Sequence, residues 1–67
     1  IMMIKVKITV RVKRSNHVKN EEFETMVDQN TYTKCTMMNA RKEVAEAWRN
    51  SMFPGADEVM IMGIRKI

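Results

Sequence analysis

The first residues of the chain alternate between apolar and polar side chains. β-branched residues hold every second position from Ile4 to Val12, and polar or basic residues lie between them. Because successive side chains of a strand point to opposite faces, this pattern predicts a half-buried antiparallel strand over 4–13. One face meets a core. The other face carries four basic residues, which are Lys5, Lys7, Arg11 and Lys13.

A second alternating segment follows over 22–28. Phe23, Thr25 and Val27 share one side of it, which predicts a second strand. The residues between the two strands, 14–20, are polar, contain two asparagines and lack an Asn-Gly turn signal. We therefore expect a long, mobile connecting loop, and its basic residues are Arg14, His17 and Lys19.

Charge complementarity suggests how these strands pair. We predict a register that sets Lys13 opposite Glu22, so that the apolar sides of both strands coincide. The same register sets Arg11 opposite Glu24 and Lys7 opposite Asp28. It leaves Lys5, Arg14 and Lys19 without acidic partners.

After the second strand, the spacing of apolar residues changes from a period of 2 to a period of 3.6. An amphipathic helix is predicted from Lys34 to Met52, with Thr33 or Thr36 as its cap. Phe53-Pro54-Gly55 is expected to end it, because proline disfavours helical geometry at the preceding residue. The apolar face of this helix comprises Met37, Ala40, Val44, Ala47, Trp48 and Met52.

The apolar segment 59–67 predicts a third strand. Met60, Met62 and Ile64 share one side of it, and we expect that side to extend the core. A helical crossover makes the second and third strands parallel, so both can flank the first strand in antiparallel orientation. The predicted fold is a single small α+β domain over 1–67, with element order β-β-α-β, strand order 2-1-3 and one helix on one sheet face.

This arrangement leaves Val59 and Ile61 on the open face of the sheet, beside Met26 and Thr9. Exposed apolar clusters often mark protein contacts, which makes this area a candidate interface. The alternative is a bulge at Gly63, or simple exposure of the two residues.

Composition narrows the class of protein. The chain has 67 residues and a net charge of +4; residues 1–20 carry six basic residues and no acid. A single cysteine, no secretory pattern and no apolar stretch of about 20 residues favour a cytoplasmic protein without a membrane span. A basic block suggests that the protein binds a polyanion. The acidic block that follows it suggests instead that the two blocks form ion pairs with each other.

No motif indicates catalysis. His17 is the only histidine, and only Cys35 could join it as a nitrogen or sulfur metal ligand. Cys35 lacks a base at a recognisable spacing, and its expected role is a small, partly buried side chain at the helix start. Gly55 and Gly63 stand alone, so no phosphate-binding loop is present. We expect a protein that is not an enzyme and needs no cofactor or metal.

The first functional hypothesis is therefore a small protein that binds and modulates a protein partner. Compact basic domains of this size and element order are similar to small phage proteins that disable host enzymes, including inhibitors of RNA polymerase. The second hypothesis is nucleic-acid binding through phosphate contacts, and the third is homodimerisation. The candidate partner-binding residues are Lys5, Arg11, Lys13, Arg14, His17, Lys19, Val59, Ile61 and Arg65.

Overall fold

The computed structural model describes residues 2–67 as a three-stranded antiparallel sheet with helices packed on one face. The strand order is β2-β1-β3, so the first strand is central, as predicted. The predicted α+β class and β-β-α-β arrangement are confirmed, with two helices in place of one. The elements are β1 (Met3–Arg14), β2 (His17–Asp28), α1 (Gln29–Cys35), α2 (Arg41–Met52) and β3 (Glu58–Lys66).

A tight turn joins β1 to β2, and the predicted long loop is wrong. Arg14 pairs directly with His17, so only Ser15 and Asn16 form the connection. Ser15 has φ 54°, in the left-handed region. Its backbone N–H donates to Asp57 Oδ2 at 2.7 Å, a contact that stabilises the turn from a distant part of the chain.

The tight turn also changes the strand register. Lys7 lies opposite Glu24 rather than Asp28, and Arg11 lies opposite Asn20 rather than Glu24. The predicted pairing is therefore displaced by an even number of residues. Because side chains alternate with period 2, an even displacement changes the charge partners and preserves the two faces.

The apolar side of β1 forms the centre of the core, as its alternation predicts. Val6, Ile8 and Val10 are fully buried. The aromatic residues pack on the same side, with the ring centroid of Phe23 6.1 Å from those of Trp48 and Phe53. The buried core residues are Val6, Ile8, Val10, Val12, Val27, Cys35, Val44, Ala45, Phe53, Ala56, Val59 and Ile61.

A β-bulge reverses the predicted faces of β3 over 59–62 and leaves Ile64 on the core side, as predicted. Val10 pairs with Ile61 whereas Thr9 pairs with Gly63, so Met62 is an extra residue between them. Val59 and Ile61 consequently face the core, as does Ile64 beyond the bulge. Met60 and Met62, predicted as core, are 45% and 43% exposed.

The predicted single helix is interrupted between Cys35 and Arg41. The Thr36 hydroxyl donates to the Thr33 carbonyl at 2.7 Å, a local bond that competes with helical continuation. Neither threonine caps a helix start, because α1 is capped by Asp28 and α2 begins at Ala40 without a side-chain cap. The predicted stop at Phe53-Pro54-Gly55 is confirmed, with Gly55 at φ 84°.

Both ends of the predicted helical stripe lie outside the core. Met37 lies in the connection and is 53% exposed, and Met52 is 41% exposed. Val44 and Ala45 are the buried residues of α2, and Trp48 is partly buried beside them. The helix therefore covers the sheet with its middle turns.

Replacement of Asp28 by asparagine is expected to make stability less dependent on pH in acid. The Asp28 carboxylate accepts the Thr31 backbone N–H at 2.7 Å, which lowers its pKa below the ordinary aspartate value. A lowered folded-state pKa stabilises the protein above the unfolded pKa of about 3.9, and this contribution is lost as pH falls through the folded value. Asparagine also caps helices but does not ionise in this range.

Urea unfolding midpoints of wild type and Asp28→Asn, measured from pH 6 to pH 2, check this prediction. The wild-type midpoint should fall more steeply than that of the variant below about pH 4. Equal slopes would show that the capping bond does not couple protonation to folding.

Candidate protein-binding face

The sheet has an outer face that no helix covers. It consists of the alternate β1 residues Lys5, Lys7, Thr9, Arg11 and Lys13 with their cross-strand neighbours on β2 and β3. Both helices contribute their buried residues to the opposite side of the sheet. The alternation of β1 therefore creates a core on one side and an open surface on the other.

Two lysines near the middle of the outer face are paired with acids of β2. Lys5 Nζ lies 3.9 Å from Glu24 Oε1, and Lys7 Nζ lies 3.4 Å from Glu22 Oε1. Exposed pairs of this kind contribute about 0.2–1 kcal/mol each and are weakened by salt. Pairing between the basic and acidic strands occurs, although with other partners than the predicted register gives.

Two other basic residues of β1, Arg11 and Lys13, form no ion pair within residues 2–67. Arg11 Nε approaches only the Asn20 side-chain oxygen, at 3.5 Å. Lys13 lies between Val18 on β2 and Glu58 on β3. Among residues 2–67, neither Arg11 nor Lys13 forms an ion pair, whereas Arg14 reaches Glu21 at 3.9 Å.

Apolar side chains lie directly beside these unpaired cations. Val18, opposite Lys13, is 58% exposed, and Met60 lies opposite Arg11. We call Arg11, Lys13, Val18 and Met60 the basic–apolar patch. The geometry brings together two positive charges and two apolar side chains at one end of the outer face.

The other predicted site residues are dispersed. Arg65 lies on the outer face opposite Lys7, and His17 and Lys19 are exposed on β2. Val59 and Ile61 do not belong to any exposed interface, because the bulge turns them inward to 7% and 3% exposure. The predicted exposure of Val59 and Ile61 is therefore wrong.

The sequence pattern does not predict the exposure of either apolar member of the patch. Val18 lies in a segment whose polar composition predicts a loop, whereas a tight turn at Ser15–Asn16 extends the alternation of β2 back to include it. Met60 had no comparable signal, because its exposure depends on the bulge at Met62.

Cys35 and the potential metal ligands are the other groups that could carry chemistry. Cys35 is fully buried at the end of α1, and this burial raises the pKa of its thiol. Within residues 2–67, no three His, Cys, Asp or Glu side chains converge in an arrangement that could hold a metal ion. The helices of this described part are too short and polar to cross a membrane.

Comparisons with protein-family models, with curated proteins and with solved structures find no match for the chain.

Proposed function

We propose that this chain is a small non-enzymatic binding protein that modulates or inhibits a protein partner, as phage-type host-interaction and regulatory proteins do. The observation that supports it is the basic–apolar patch. Arg11 and Lys13 form no ion pair within residues 2–67, and they lie beside exposed Val18 and Met60 on a sheet face without a helix.

The composition of the patch suits an acidic protein surface. Arginine and methionine are enriched in protein interfaces, where apolar contact supplies affinity and charge selects the partner. Methionine side chains also adapt to differently shaped partners. A partner that combines acidic and apolar residues would satisfy both halves of the patch.

The same face is less suited to nucleic acid. The tryptophan, the tyrosine and both phenylalanines pack with the core, so the outer face offers no ring for a base to stack on. Glu22 and Glu24 share the outer face with the basic residues and repel phosphate. Nucleic-acid binding is therefore the competing outcome in the experiment below.

Replacement of Arg11 by glutamate is expected to weaken partner binding about tenfold or more, because it removes an attraction and adds a repulsion. A photocrosslinking residue at Met60 first captures the partner in an extract of the cells that contain the protein. Binding to the purified partner is then measured for each variant. Lys19→Glu is the matched control, since it makes the same charge change at an exposed β2 position outside the patch.

Equal weakening by Arg11→Glu and Lys19→Glu would show that net charge, rather than the patch, governs binding. A salt titration against random duplex DNA, single-stranded DNA and RNA provides the second comparison. Tight, strongly salt-dependent binding to these polyanions without a saturable protein partner would replace the proposal by nucleic-acid binding.

A further inference from the structure

A groove of about 690 Å³ runs between α2 and the free edge of β3. β3 pairs with β1 on one side only, because the sheet order is β2-β1-β3. Its other edge is flanked by α2, which packs on β3 more closely than on any other strand. The groove therefore combines an unpaired strand edge with a helix wall.

The middle of the groove is apolar. Val59 and Ile61 form its buried floor, and three flexible, exposed side chains line its opening. These groove methionines are Met38, Met60 and Met62, with exposures of 76%, 45% and 43%. Methionine-lined surfaces accommodate varied apolar side chains.

Positive charge is concentrated at one end of the groove. Arg41 and Lys42 open α2, and Arg41 Nη1 donates to the Ile61 carbonyl at 3.0 Å. This bond holds the guanidinium against the edge of β3. Arg41 Nε is buried without an acceptor, and neither Arg41 nor Lys42 forms an ion pair within residues 2–67.

Negative charge marks the other end. The short connection from α2 to β3 makes the two elements antiparallel, so Glu58, at the start of β3, lies away from the basic end, whereas Glu46 lies one helical turn beyond Lys42. Glu46 is already paired with Arg49 at 2.6 Å, which leaves Glu58 as the free acid of the groove. The groove thus presents opposite charges at its two ends and apolar contacts between them.

We propose that this groove binds an extended segment of a partner protein that carries an acidic residue at one end, apolar residues in the middle and a basic residue at the other end. The carboxylate pairs with Arg41 and Lys42, and the apolar side chains pack among the groove methionines. An extended segment suits the site because a free strand edge offers backbone groups that another strand can bond. The proposal is independent of the basic–apolar patch, with which the groove shares only Met60.

The test uses a fluorescein-labelled peptide with blocked ends, in which leucine, valine and leucine separate an aspartate from a lysine. Fluorescence anisotropy measures affinity, and nitrogen-15 NMR titration locates the site. We expect saturable shifts of the backbone amides of Arg41, Lys42 and Val59 through Met62. Lys42→Glu should weaken binding about threefold or more, since Lys42 is exposed and its pairing is lost.

Two controls make the result specific. A peptide with asparagine in place of the aspartate should bind more weakly, and Lys19→Glu should leave affinity unchanged. Equal binding of both peptides, or shifts spread outside the groove, would overturn the proposal. Dimerisation on sedimentation, with groove amides that shift as the concentration of protein alone rises, would instead assign the groove to a second copy of the chain.

Discussion

Replacement of Ile61 by aspartate is expected to unfold the protein at 25 °C. Ile61 is 3% exposed and pairs with fully buried Val10, so the new carboxylate would enter the core without a partner. The effective cost of burying an unpaired ion is several kcal/mol. A chain of this size has a total unfolding free energy of about 3–10 kcal/mol, so this single change is comparable with the whole of it.

Met60→Asp is the matched comparison, because it places the same side chain on the neighbouring residue of β3. Met60 is 45% exposed on the outer face opposite Arg11, and its replacement should cost no more than about 1 kcal/mol. Circular dichroism and urea unfolding of both variants measure the difference. If Met60→Asp unfolded the protein and Ile61→Asp did not, β3 would present the faces that simple alternation predicts.

This pair of variants tests the element that the sequence predicted least well. The alternation of β1 is sufficient to place Val6, Ile8 and Val10 in the core. All apolar residues of 4–13 lie on one face, so that face is the one that is buried. β3 has no such alternation, because residues 59–62 are all apolar, and one extra residue at Met62 places Val59 and Ile61 on the core side. Both faces of β3 would be apolar over 59–62, so its sequence does not distinguish a bulged strand from a regular one.

The hairpin register depended on a contact that is remote in sequence. Ser15–Asn16 lacks a strong two-residue turn signal, and the bond from Ser15 to Asp57 joins residues 42 positions apart. Charge pairing alone is compatible with both the predicted and the observed register, because both place the same side chains on the same face of the sheet. The apolar pattern could exclude an odd displacement but not an even one.

The observed register changes which basic residues are free to bind a partner. The predicted register leaves Lys5, Arg14 and Lys19 uncompensated. The observed ion pairs engage Lys5 and Arg14, whereas Lys19 forms none within residues 2–67. Of the basic residues of β1, Arg11 and Lys13 are the two that form no ion pair within residues 2–67, and they lie on the outer face of the sheet rather than in a loop. A site on paired strands holds its side chains more firmly than a mobile connection does.

Replacement of Ile8 by alanine is expected to lower the free energy of unfolding by about 2–5 kcal/mol. Ile8 is fully buried on the central strand, opposite Phe23 on β2 and Ile64 on β3. Truncation removes buried methyl and methylene groups and leaves a cavity that neighbours fixed by pairing on both sides fill only in part. A domain of this size has few core layers, so the loss should bring the variant close to its unfolding midpoint without denaturant.

Ile67→Ala is the control, since it makes the same truncation at a residue that is 49% exposed. The backbone N–H of Ile67 donates to the Lys5 carbonyl, a bond that alanine retains. Its expected cost is below about 1 kcal/mol, measured by urea unfolding under the same conditions. Similar losses of unfolding free energy in both variants would show that the centre of β1 is not tightly packed. The two truncations remove the same atoms, so a larger loss at Ile8 can come only from its burial and from the cavity left behind.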